Sequence, residues 1–160
     1  MKLKRAFVVF AFLFLAYSSF ALEFRNTSWQ MNKEEVIASE SGVVVSELRL
    51  PGEQQIVFRT LVNGFPATIT YLLENDKLLS ASYTFKRDLD RKAFDSMKKD
   101  LISQNGKPAF EKENLVGWRL ERTEIALAHL PDGTSYAAYW EKAYFARINN
   151  LAETGAPRKF

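Results

Sequence analysis

The chain has 160 residues, with 22 Lys and Arg, 19 Asp and Glu, one His and no Cys. Without a thiol it cannot be a lipid-anchored lipoprotein, a thiol enzyme or a disulfide exchanger. Its formal net charge of +3 comes from Lys2, Lys4 and Arg5 at the start of the chain, so its basicity is no evidence for a nucleic-acid partner.

Those three basic residues precede an apolar run from Ala6 to Ala16 and a polar stretch ending Ser19-Phe20-Ala21. Basic, apolar and small-residue segments in that order are the anatomy of a secretory signal peptide, which predicts residues 1–21 as the signal and cleavage after Ala21. The apolar run is short of the roughly 20 residues that a spanning helix needs, so no stable membrane insertion is expected after cleavage. A mature chain from Leu22 would hold 19 basic and 19 acidic residues, and its expected place is the periplasm or the medium. With about 139 residues it could bury a core without bridges or metal.

Asn32 followed by Glu35 predicts a capping box, and hence a short helix through Ile37, with Glu34 and Glu35 matched to the positive end of the helix. From Val43 to Lys86 the hydrophobic period is two, which predicts strands at 43–50, 56–62, 66–74 and 78–86. Ala67, Ile69, Tyr71 and Leu73 share one face of the third run; Leu79, Ala81, Tyr83 and Phe85 share one face of the fourth. Asn75-Asp76-Lys77 turns the chain between them.

The segment 89–105 reads as the main helix: Asp88 or Asp90 caps it, Phe94, Met97 and Leu101 form its stripe, and Gly106 with Pro108 stops it. Strands are predicted at 109–114, 116–122, 124–130 and 135–142, the last two joined by Pro131-Asp132-Gly133-Thr134. A closing helix over 143–151 and a loose tail at 154–160 complete the chain. The fold class is α+β, an antiparallel sheet with one main helix and a short N-terminal helix. It is one domain over 22–153, arranged either as two αβββ-type halves, 24–86 and 87–151, or as one continuous sheet. A membrane barrel is not expected, since the 89–105 helix interrupts the strands.

No catalytic, cofactor or metal site is predicted. His129 lacks the further ligands that a metal centre requires, and none of Ser80, Ser82, Ser96 or Ser135 sits in a nucleophile elbow. The near pairs Glu34/Glu35 and Asp88/Asp90 belong to helix starts, and Glu111/Glu113 alternate as a solvent-facing strand would. No glycines cluster to cradle a phosphate. Lys86, Arg87, Arg91, Lys92, Lys98 and Lys99 are interleaved with Asp88, Asp90, Asp95 and Asp100, the pattern of a solvated helix face. Trp29, Trp118 and Trp140 are candidate partner-binding residues, although large aromatics in a small domain more often anchor its core.

The stretch Ser28-Trp29-Gln30-Met31-Asn32-Lys33-Glu34-Glu35-Val36 resembles the opening of a group of uncharacterised bacterial exported proteins that begin Trp-Gly-Met-Ser/Thr-Lys-Glu-Glu-Val. Gln30 here takes the place of their glycine. The succession of small helix and antiparallel strands is similar in outline to outer-membrane assembly lipoproteins of the BamE/SmpA type and to β-lactamase-inhibitor-like domains, without the lipidated cysteine of the former. The resemblance implies a non-catalytic exported module whose partner is another envelope protein. The alternatives are an inhibitor-like protein that binds one enzyme and a domain with a small-ligand pocket.

Overall fold

The computed structural model describes residues 23–154; the expected signal peptide at 1–21 and residues 155–160 of the expected tail lie outside the described residues. The chain runs α1 (Lys33–Ser39), β1 (Val43–Leu50), β2 (Glu53–Val62), β3 (Phe65–Glu74), β4 (Lys77–Phe85), α2 (Lys92–Asn105), β5 (Phe110–Lys112), β6 (Leu115–Arg119), β7 (Thr123–His129), β8 (Ser135–Glu141) and α3 (Lys142–Thr154). The α+β class is as the sequence indicates, and β1 has the expected bounds. Thr154, expected to open the tail, is the last residue of α3.

The tight hairpins follow from side chains that tolerate a left-handed backbone. Asn63 and Gly64 have φ of 54° and 81°, and Asn75 and Asp76 have 49° and 60°. These turns close the pairs Val62↔Phe65 and Glu74↔Lys77. Two-residue loops with both φ positive twist in the sense that antiparallel strands require.

All eight strands form a single antiparallel sheet in the order β1-β2-β3-β4-β8-β7-β6-β5. Each run of one helix is followed by four strands rather than three, and the last strand of each run meets the other at the centre, from Ser80↔Trp140 to Phe85↔Ser135. The two successions and the one continuous sheet, alternatives in the sequence, are therefore both present. The first strands of the runs, β1 and β5, form the two open edges.

One face of the sheet makes the core. Ile56, Phe58, Ile69, Tyr71, Leu73, Ala81, Phe85, Leu127 and Ala137 are buried on it, together with Val36 of α1 and Phe94, Met97 and Leu101 of α2. Full burial of each large apolar side chain contributes roughly 1.5–3 kcal/mol. A register shift between Leu72 and Leu73 lets both Leu78 and Leu79 be buried.

α2 begins at Lys92, three residues later than the expected Leu89. Asp88, rather than Asp90, caps it from a distance: its two carboxylate oxygens each accept a backbone N–H at 2.9 Å, from Ala93 and from Phe94. The intervening chain reaches the helix through Arg91 at φ 59°, and Asp90 forms an ion pair with Lys92 instead.

The segment ahead of α1 closes the seam between the two runs. Gln30 N–H donates to the Leu78 carbonyl at 3.0 Å, and Leu78 N–H to that of Met31 at 2.8 Å. Phe24 packs its ring against Tyr71, Tyr83 and Tyr139, touching both central strands at once.

Candidate functional site

The three tryptophans have different fates. Trp29 is buried and donates its indole N–H to Thr123 Oγ1 at 2.9 Å. Trp118 is buried and donates to the Gly106 carbonyl at 3.0 Å. Both indoles are thus satisfied internally and serve the core, which removes Trp29 and Trp118 from the surfaces a partner can reach. Trp140 points to the other face of the sheet, half-buried, with its ring 5.3 Å from that of Phe145.

The fold brings together one serine, the histidine and an aspartate, but not as a hydrolase would. Ser135 Oγ donates to Asp88 Oδ2 at 2.6 Å and lies 2.8 Å from His129 Nδ1. Since the single hydroxyl proton is directed to the carboxylate, the network assigns the proton of the second contact to His129 Nδ1. A nucleophilic serine needs the opposite arrangement, with the imidazole accepting its proton and the carboxylate behind the imidazole. Ser135 is also fully buried. The cluster holds the start of α2 against β8. Burial acts to raise the Asp88 pKa, and the hydrogen bonds from Ser135, Ala93 and Phe94 outweigh it, holding the carboxyl below its usual value.

The paired carboxylates are occupied by structure. Asn32 and Glu35 form the reciprocal capping box of α1, and Glu111 pairs with Lys98. Among the described residues no group of three or more His, Asp or Glu converges as metal ligands would.

A cleft of about 670 Å³ opens on the helix-bearing side, where the two runs meet. Tyr83, Ile125 and Tyr139 form its floor, Glu23–Arg25 one wall and Met97, Asp100 and Leu101 of α2 the other; Leu120–Thr123 line one end. Asn63 closes the opposite end by donating its side-chain amide to Ser96 at 3.1 Å and to Asp100.

Behind this wall sits a buried polar cluster. Glu40, at the end of α1, accepts from Arg25 Nε at 2.8 Å and from the Tyr71 hydroxyl. Burial, reinforced by the Glu40 carboxylate, raises the Tyr71 pKa. Burial likewise raises those of Tyr83, against the opposing effect of Arg25, and of Tyr139. The phenols therefore stay protonated and available as donors. Sequence reasoning could not find this cleft, because its lining runs from Glu23 to Tyr139 with no local motif.

The second face of the sheet is built differently. Val57, Thr68, Thr70, Leu72, Ser80, Ser82, Thr84, Ala126 and Tyr136 alternate with core residues and are half-buried. Among the described residues α3 is the helix that reaches this face, setting Phe145 against Trp140. At its β1 edge, Val43, Val45, Leu48 and Leu50 are exposed aliphatics, Val43 at 77 %.

These features define an α+β protein with two helix-plus-four-strand runs sharing one sheet, one face cored and the other largely bare. The chain matches no protein-family model, no curated protein and no solved structure.

Proposed function

We propose that the chain is an exported binding module that engages another envelope protein through the face of its sheet opposite α1 and α2. The reading rests chiefly on the inequality of the two faces. α1 and α2 cover one, while the other presents hydroxyl and aliphatic side chains with few charges, continuous with the aliphatic β1 edge. Uncharged, partly apolar surface of this extent is what a protein interface core requires, and charged residues are depleted there. It suits a partner that presents an uncharged, apolar-bearing surface of its own. Export is supported by the anatomy of residues 1–21.

The test is photocrosslinking in the native envelope from a residue on each face. A crosslinking side chain at Ser82 should trap one specific protein, whereas one at Asp95, on the exposed side of α2, should trap none. Thr70→Arg should abolish the Ser82 adduct while leaving the thermal melt within a few degrees of wild type. Equal labelling from Ser82 and Asp95, or an adduct that survives Thr70→Arg, would discard this reading.

A further inference from the structure

At the edge of the sheet rather than on its face, and independent of that reading, we infer that β1 is a self-association strand. Two copies of the chain pair antiparallel, edge to edge, about a two-fold axis at Leu48. The site is the stretch Ser46–Leu50, and its occupant is the same stretch of a second copy.

The two open edges are not alike. β5 is three residues long and carries Glu111 and Lys112, the short, charged form that discourages pairing. β1 is eight residues long and holds neither lysine nor proline, and among the described residues no strand pairs with its outer side. Its row of unpaired backbone N–H and C=O groups is a template for a further strand. Val43, Val45, Leu48 and Leu50 are exposed along it.

Two irregularities set the length that can pair. The register with β2 shifts between Val44 and Ser46, then runs unbroken from Ser46↔Val57 to Leu50↔Glu53. A bulge bends its strand and interrupts the ladder, and Pro51, just past the strand, has no N–H to donate. The regular edge is therefore confined to Ser46–Leu50, whose middle residue is Leu48.

Self-complementarity identifies the occupant. Glu47 and Arg49 lie opposite Ile56 and Gln54, hence on the α1 side of the sheet, where Lys33 Nζ reaches Glu47 at 2.7 Å. Ser46, Leu48 and Leu50 lie on the other side. Antiparallel pairing centred on Leu48 sets Glu47 of each copy opposite Arg49 of the other, twice by symmetry. It also sets Leu48 against Leu48 and Leu50 against Ser46. Within one chain Arg49, Lys33 and Gln54 all approach Glu47 through Oε2, leaving Oε1 for the guanidinium of the second copy. Moving the centre by one residue brings Glu47 against Glu47 or Arg49 against Arg49, like charges that oppose pairing.

The chain has no cysteine, so Leu48→Cys supplies one thiol per copy. Opposed Cα atoms of an antiparallel pair are about 4.5–5.5 Å apart, within the span of a disulfide. Under mild oxidation Leu48→Cys should be trapped as a covalent dimer about tenfold faster than Val43→Cys, whose thiols would lie roughly 33 Å apart. Sedimentation of the wild type should shift from monomer toward dimer between about 1 μM and 1 mM, the weak range suited to a small contact. Arg49→Glu and Glu47→Arg should each lower the affinity about tenfold, and an equimolar mixture of the two should restore it, because unlike charges then face each other. Equal trapping at the two cysteine positions, or a wild type that stays monomeric to about 1 mM, would overturn the inference. So would a mixture without rescue, the outcome expected if a strand of another protein is the true occupant.

Discussion

The two runs of the chain share an order of elements and differ in proportion. In the first, strands of eight to ten residues accompany a helix of seven; in the second, strands of three to seven accompany a helix of fourteen. A helix rises 1.5 Å per residue and a strand about 3.3 Å, so α1 spans roughly 10 Å beneath strands roughly 26–33 Å long. Beyond its reach β1 is exposed over all but one of its residues. The longer α2 covers β7 and β8, and β6 is buried through Val116, Gly117 and Trp118. Both runs feed the core, but the short α1 leaves the β1 edge of the first run with surface to present, while the long α2 covers the inner strands of the second.

The largest effect should follow from weakening the better-covered run. Trp118→Ala removes a fully buried indole and its bond to Gly106, and should cost about 3–5 kcal/mol, read by urea unfolding. Native-state hydrogen exchange should show α2 and β6 loosening before β2 and β3; uniform loosening of both runs would erase the distinction.

Asp88→Asn comes next, at about 1.5–3 kcal/mol near neutral pH, the worth of hydrogen bonds to a charged group. Because the folded carboxyl titrates below its unfolded value near 3.9, its stabilisation is present above that value and is lost as pH falls through the folded one. Urea unfolding should show the full gap between wild type and Asp88→Asn at pH 7, narrowing below about pH 4. A gap independent of pH would show that the ionised carboxylate is not what anchors α2. The smallest effect belongs to the first run, where Asn32→Ala breaks the capping box of α1 and should cost about 1 kcal/mol. A loss as large as that of Trp118→Ala would mean that α1 bears more of the fold than its length implies.

What could be read from the sequence was local. The alternation in β3 and β4, the capping box of α1 and the end of α2 at Asn105 all express interactions within a few residues, and they appear as expected. The start of α2 was misplaced because Asp88 caps it across a loop, with Arg91 in a left-handed conformation. Spacing rules cannot see such a loop. The burial of Trp29 depends on Thr123, and the β4–β8 pairing on a register set by neither strand alone. The cleft assembles from six separate stretches, so its charges and rings have no common signature in the chain. The part of the second face that β3 and β4 supply, by contrast, was latent in their alternate positions.

The bond from Trp29 to Thr123 spans 94 positions, and this sets an order of events. The segment ahead of α1 can dock only after the chain through β7 has been made. Until β7 and β8 exist, Phe24 and Trp29 have half their seats missing, so the first run is an incomplete body however well its hairpins form. Contacts so distant in sequence slow folding and tie its success to residues made much later. A chain cut short before β7 is therefore a natural substrate for proteolysis rather than a smaller working version of the protein.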